Sequence, residues 1–324
     1  MARKLLIVFA VLLGLLLLAI GGVLTQFYVL HPKVAAAKAL TAPNDPATIE
    51  RGRYLAEHVT VCVGCHSPVL VDVPGEPLVA AKRFAGRDWN MPDPYGAGVP
   101  RGPNLTSDPV HGIGAWTDGE LVRAILEGVD RTGAPLFPMM PYAVYREHLT
   151  QDDALAIVAY LRTIPAIAES VPRSDIAFPV SMFVRTMPRP VETPAPAWPD
   201  DSLGRGQRLL ALASCGDCHH TVDGTRQPIP GKLFAGGTKL PMPGGTIIHA
   251  PNITAHEATG VGAWTDVELE RAIFEGKGRD GRDLYIMPWT YYRGMDAADR
   301  AALIQAVRAI PAVDHKVERF AAAP

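Results

Sequence analysis

The sequence predicts an all-α protein in which two tandem copies of one small helical domain follow an N-terminal transmembrane helix. Three observations lead there. Leu5 to Leu24 is a run of twenty residues without a charge, long enough at about 1.5 Å per residue to cross the ~30 Å core of a bilayer. Beyond it, a series of short markers occurs twice in the same order. All four cysteines fall in two copies of one pentapeptide, Cys62-Val-Gly-Cys65-His66 and Cys215-Gly-Asp-Cys218-His219.

Arg3 and Lys4 precede the apolar run, which by the positive-inside rule keeps the N-terminus in the cytoplasm. Residues after about Tyr28 are then exported. The competing reading is a cleaved signal peptide, with Ala35-Ala36-Ala37 as the small-residue cleavage region. A signal core usually runs about 7–15 residues, shorter than this one. The expectation is therefore a retained anchor over residues 1–30, single-pass in the inner (cytoplasmic) membrane, with the remainder on the periplasmic side.

The repeat is read from its markers. Arg51-Gly52 returns as Arg205-Gly206, Phe84-Ala85-Gly86 as Phe234-Ala235-Gly236, and Pro103-Asn104-Leu105-Thr106 as Pro251-Asn252-Ile253-Thr254. Gly114-Ala115-Trp116-Thr117-Asp118 returns as Gly262-Ala263-Trp264-Thr265-Asp266, and Met140-Pro141 as Met287-Pro288. The offset drifts from 154 to 146, which places small indels in loops. Residues 45–166 and 201–313 are expected to be the two domains. The Pro-rich stretch 167–200 is expected to be a connector laid over the surface.

Each copy reads as helical. A first helix leads into the pentapeptide, Ile49 to about Val63 and Leu203 to about Asp217. A second opens on Thr117-Asp-Gly-Glu120 or Thr265-Asp-Val-Glu268; Thr-x-x-Glu is a capping box, in which hydroxyl and carboxylate satisfy orphan amides. It ends near Gly128 or Gly276, residues suited to a left-handed cap. A third starts after Thr150 or Asp296 and stops before Pro165 or Pro311, since proline cannot continue a helix.

In Cys-x-x-Cys-His the two thiols form thioethers with the vinyl groups of a haem, and the histidine becomes an axial iron ligand. A closed zinc site wants further thiols or a paired histidine at short spacing, and a thioredoxin-like pair needs neither the histidine nor a duplicate. Two covalently bound haem c groups are therefore expected, on Cys62, Cys65, Cys215 and Cys218, with His66 and His219 on the irons. For the opposite axial position, Met140 and Met287 follow the capped helix and precede the closing one, an order that suits approach from the other haem face. Met91 and Met242 also recur, but Met91 lies only 25 residues after His66; packing against the porphyrin suits them better. Met139 is matched by Ile286, which favours Met140. His220 follows a ligand directly and is expected at the surface. His58, His111, His148, His249 and His256 have no counterpart in the other copy. Asn104, Thr106 and Trp116, with Asn252, Thr254 and Trp264, either bond the haem propionates or form a turn-and-core motif.

Composition narrows the rest. A net charge of −2 gives no basic field for nucleic acid. Glycine and proline, 30 each in 324 residues, exceed ordinary usage of about 7% and 5%, yet 48% hydrophobic content does not suit a disordered chain. Loops wrapped around a large apolar cofactor account for both.

The set Arg-Gly, Cys-x-x-Cys-His, Phe-Ala-Gly, Pro-Asn-[Leu/Ile]-Thr, Gly-x-Gly-x-Trp-x-Asp and Met-Pro-[Tyr/Trp], with the connector piece Ser174-Asp-Ile-Ala-Phe-Pro179, resembles the cytochrome c subunits of bacterial membrane-bound alcohol, gluconate, sorbitol and aldehyde dehydrogenases. The resemblance covers roughly residues 48 to 312. It implies class I cytochrome c domains, Met/His ligation and electron relay, with a periplasmic dehydrogenase or respiratory complex subunit as partner. The typical member carries three such modules, and two are present here. No catalytic residue and no small-molecule substrate are expected. The competing class is a dihaem enzyme of peroxidase or thiosulfate dehydrogenase type. Such an enzyme needs an open iron position or an unusual ligand, whereas both copies offer the same Met-Pro and no fifth cysteine exists.

Overall fold

A computed structural model describes residues 1–89, 98–224, 227–242 and 246–321. Its helices in chain order are α1 (Ala2–Leu24), α2 (Pro46–Tyr54), α3 (Cys62–Cys65), α4 (Asp118–Glu127), α5 (Tyr142–His148), α6 (Gln151–Arg162), α7 (Val180–Val184), α8 (Ser202–Leu212), α9 (Cys215–His219), α10 (Asp266–Glu275), α11 (Trp289–Tyr292) and α12 (Ala297–Arg308). Helix α1 runs on through a π-helical turn to Val29, and none of its residues is buried. By length and composition it fits a membrane-crossing segment near the N-terminus.

The capping signals are realised. Thr117 and Thr265 each accept from the amide three residues on while Glu120 and Glu268 return the bond. Gly128 and Gly276 close the same helices at φ 80° and 69°. Thr150 and Asp296 cap α6 and α12, which stop at Arg162 and Arg308.

The first helix of each copy does not run into the pentapeptide as expected. Helix α2 ends at Tyr54 and a π-turn carries the chain to Val59, while α8 ends at Leu212. Val61 and Ser214 then take left-handed conformations, at φ 52° and 55°, and a fresh helical turn begins at each first cysteine. Helices α5 and α11, between the methionine turns and the closing helices, were not expected. Proline at the cap position leaves the following residues free to wind.

The Arg-Gly marker has a packing reason. Helix α2 crosses α6, and α8 crosses α12. At each crossing a Cβ on the glycine would collide with a backbone carbonyl, Ala156 for Gly52 and Ala302 for Gly206. The arginine beside it is paired across the same crossing, Arg51 with Asp153 at 3.0 Å and Arg205 with buried Asp299.

Strands are short, namely β1 (Arg87–Asp88), β2 (Gly98–Val99), β3 (Arg101–Gly102), β4 (Asp175–Ile176), β5 (Lys239–Pro241), β6 (Ile247–His249) and β7 (Phe320–Ala321). All pair antiparallel, β1 with β3, β2 with β4, and β6 between β5 and β7. The β2–β4 pair fastens residues 175–176 of the connector to the first copy. Trp198 fastens the connector's far end. Its indole donates to Asp153 at 2.8 Å, and the guanidinium groups of Arg51, Arg205 and Arg208 lie 5.0–5.2 Å from its ring.

One continuous buried cluster runs through both copies, from Leu55, Val59 and Ile157 to Leu209, Tyr292 and Leu303. Polar contacts cross the same boundary: Tyr54 donates to Asp299, His58 Nδ1 lies 2.9 Å from the Tyr291 carbonyl, and the Tyr291 hydroxyl donates to the Glu76 carbonyl at 3.0 Å.

Candidate functional site

Each pentapeptide sits on a turn made from the same parts. The left-handed residue before the first cysteine ends one helical segment and lets the next start at a new angle. One helical turn then places the second cysteine three residues on, near the first. None of the four cysteines forms a disulfide, and all are partly buried. Burial is the main cause that pushes the thiols of Cys62, Cys65 and Cys215 up, Cys65 to about 11 and Cys215 to about 12. A reactive redox pair needs the opposite shift, toward thiolate. Among the described residues no group of three or more His, Cys, Asp and Glu is placed to hold a metal ion by itself.

His66 is buried, and its Nδ1 donates to the Pro103 carbonyl at 2.8 Å. His219 repeats this with the Pro251 carbonyl, also at 2.8 Å. Burial lowers the pKa of both rings, partly offset by this bond, so both are neutral near pH 7. A neutral ring with its proton on Nδ1 has its lone pair on Nε2. That is the tautomer and orientation an axial histidine requires.

The Pro-Asn-x-Thr marker is the turn that aims this carbonyl. The Asn104 amide donates to the Ile167 and Glu169 carbonyls at 2.8 and 3.0 Å, and its oxygen accepts from the amide and hydroxyl of Thr106. Asn252 donates to the Val313 and His315 carbonyls and accepts from the Thr254 amide. These side chains are spent on backbone, so the turn-and-core reading holds for them. Trp116 and Trp264 pack against the core. Their carbonyls accept from Arg162 and Arg308, which also pair with Asp118 and Asp266.

The Phe-Ala-Gly marker approaches the same turn. Phe84 and Phe234 are left-handed at φ 60° and 59°, an uncommon conformation for a bulky residue. In each case the residue after the pentapeptide histidine catches the amide: Ser67 Oγ accepts from Phe84 at 2.8 Å, and His220 Nδ1 accepts from Phe234 at 3.0 Å. His220 is thus no surface residue. It is half-buried, with its ring against Phe234 at 4.3 Å, and it replaces a serine hydroxyl. Sequence reading missed this; its signal was that His220 aligns with Ser67 in the repeat.

Met140 and Met287 lie in matching turns. Pro141 and Pro288 have φ −82° with ψ 48° and 43°, and each methionine carbonyl accepts from the residue two further on at 2.8 Å. This inverse γ-turn fixes both methionine backbones alike. Both side chains pack partly buried against the core, while Met139 is 42% exposed. Met242 sits in the loop between β5 and β6, its amide bonded to the Thr246 carbonyl. Met91 lies outside the described residues. Just after Met140, the Tyr142 hydroxyl is buried without a partner. An orphan donor of that kind, the pre-set histidines and the thiol pairs together suit a large acid-bearing cofactor such as haem.

No protein-family model matches the chain. It does resemble named proteins over most of its length. It is 29% identical over 265 residues to the alcohol dehydrogenase (quinone) cytochrome c subunit of Gluconobacter oxydans, covering 76% of this chain and 52% of that one. The chain is a relative of dehydrogenase cytochrome c subunits. The gluconate 2-dehydrogenase cytochrome c subunit of Pantoea cypripedii is 30% identical over 256 residues, 75% of this chain and 54% of its own. A dihaem cytochrome c-type protein of Cereibacter sphaeroides is 29% identical over 200 residues, 60% of this chain and 63% of its own. The chain spans about half the length of the first two. Relatives of this kind imply covalently bound haem c.

Proposed function

We propose that this chain is a membrane-anchored, periplasmic dihaem c-type cytochrome that passes electrons rather than transforming a substrate. In this reading it takes them from a dehydrogenase or a quinol-linked complex and delivers them to a further haem or a terminal oxidase. Residues 45–166 and 201–313 are two class I cytochrome c domains joined by the connector 167–200. The single observation that carries the reading is the duplicated histidine–carbonyl lock, His66 on Pro103 and His219 on Pro251. When bound, each haem supplies an iron that cycles between two oxidation states. Cys62 and Cys65, or Cys215 and Cys218, tether it. His66 and His219 would supply Nε2 to the iron and Met140 and Met287 a thioether sulfur, a pairing that would raise the potential relative to bis-His ligation. Equivalent methionine turns in the two copies support a relay over an enzyme, which needs one open iron.

A pyridine haemochrome assay tests the count: two covalently bound haems per chain are expected, and one overturns it. Both ferric haems are expected to be low-spin, with the near-infrared sulfur-to-iron band. Met140→Ala and Met287→Ala are each expected to convert one haem to high-spin and lower its potential, with Met242→Ala leaving both unchanged. A wild-type high-spin haem that turns over peroxide would falsify the relay. Loss of the sulfur band only in Met91 or Met242 variants would move the ligand assignment and leave the relay intact.

A further inference from the structure

Helix α7 is docked on the outer end of α1. The Phe183 ring meets Phe27 edge-on at 5.7 Å. Arg185 donates to the Phe27 carbonyl at 2.8 Å and the His31 carbonyl at 3.3 Å, and its guanidinium lies 5.0 Å from the Tyr28 ring. Val184 is buried on the inner side of α7. Phe178, Phe183 and Met187, in and around α7, are 77%, 54% and 45% exposed, and Tyr28, Val29 and Leu30 at the docked end of α1 are exposed too. Lys33 and Arg189, both exposed, lie next in the chain to this apolar surface.

Depth decides what such a surface faces. The twenty residues from Leu5 to Leu24 use up the ~30 Å of hydrocarbon at about 1.5 Å each. Phe27 and Tyr28 then emerge at headgroup level, where aromatic residues concentrate. Whatever is fastened to Phe27 sits at that level too. Apolar side chains with neighbouring basic residues are the composition of an interfacial element lying on anionic lipid.

We propose that residues 178–187 form a second membrane contact, a foot resting in the lipid headgroup region beside the exit of α1. It rests on the reading of Ala2–Val29 as a retained span. The foot fixes how the haem-bearing part is turned relative to the bilayer, which a single helix and a short tether leave free.

The test uses the full-length haem-loaded protein in vesicles of phosphatidylethanolamine and phosphatidylglycerol. Since the native cysteines are taken by haem, single nitroxide labels go on Phe178→Cys, Phe183→Cys, Leu16→Cys and Val110→Cys. Collision with oxygen and with a water-soluble nickel chelate is measured for each label by power saturation. Labels at 178 and 183 are expected to favour oxygen several-fold over the Val110 label, and the Leu16 label to be deepest. If Leu16 is deep while 178 and 183 match Val110, the foot is refuted and the span stands. If 178 and 183 are shielded from both reagents, a protein surface covers them and the lipid assignment is wrong. If Leu16 meets the nickel chelate freely, the span fails and the foot with it.

Discussion

Asn104 and Asn252 hold the turns whose Pro103 and Pro251 carbonyls orient His66 and His219. Replacing Asn252 by alanine leaves the Val313 and His315 carbonyls and the Thr254 amide short of a partner. Unsatisfied buried groups cost about 1–3 kcal/mol each, so Asn252→Ala is expected to lower the melting temperature by several degrees. It is also expected to shift the potential of one haem while the other keeps its value, read by a redox titration. The residue scale is also where sequence reading was weakest. The cysteines, histidines and Pro-Asn-x-Thr markers were legible because the repeat printed them twice. The left-handed Val61 and Ser214 were not, because neither residue type announces positive φ. His220 was misread because its neighbour's role hid its own.

At the scale of elements, boundaries written in capping chemistry were legible to within a residue or two, as in α4, α6, α10 and α12. Crossings were not, since nothing in Arg-Gly alone says which helix the glycine will meet. Gly52→Ala forces α2 away from α6 and is expected to destabilise the protein by about 2–4 kcal/mol, as overpacked or strained cores do. Thr117→Ala, which loses only a cap, is expected to cost about 1 kcal/mol. Urea midpoints of the two variants check the ranking. The π-turn before the first pentapeptide supplies a pH dependence as well. His58 donates to the Tyr291 carbonyl, while Arg53 lies 3.3 Å from its other nitrogen. Burial lowers its pKa from the ordinary value of 6.5. The unfolded chain therefore binds a proton first as pH falls. This contribution is complete above about pH 6.5 and is lost as pH drops from there through the lowered folded value. Relative to wild type, His58→Gln is expected to lose less stability between pH 7 and pH 5 in denaturant titrations.

For the whole molecule, repetition foretold two similar halves but not how they meet. The sequence carried no sign that Tyr291, four residues beyond Met287, would lie against Gly64 inside the first pentapeptide. Nor did it show that Asp217 would lie close enough to Cys65 to help push that thiol up. The two pentapeptides therefore lie near one another. Trp198 holds the outer side of the same joint. Trp198→Ala removes three cation–π contacts and an indole hydrogen bond, each worth about 0.5–1.5 kcal/mol. It is expected to speed hydrogen exchange in residues 46–66 and 202–219 without changing the haem count. Unchanged exchange there would mean that the joint does not depend on Trp198.

The joint also imposes an order on biogenesis. The loop after the first pentapeptide, Asp72 to Glu76, is roofed by Tyr285, Thr290 and Tyr291, partners more than two hundred positions later in the chain. A ribosome finishes the first attachment turn long before it makes that roof. During this interval the loop lacks the three hydroxyl donors that hold its carbonyls in the finished fold. The loop beside the first pentapeptide is thus fastened only after the second half has been made.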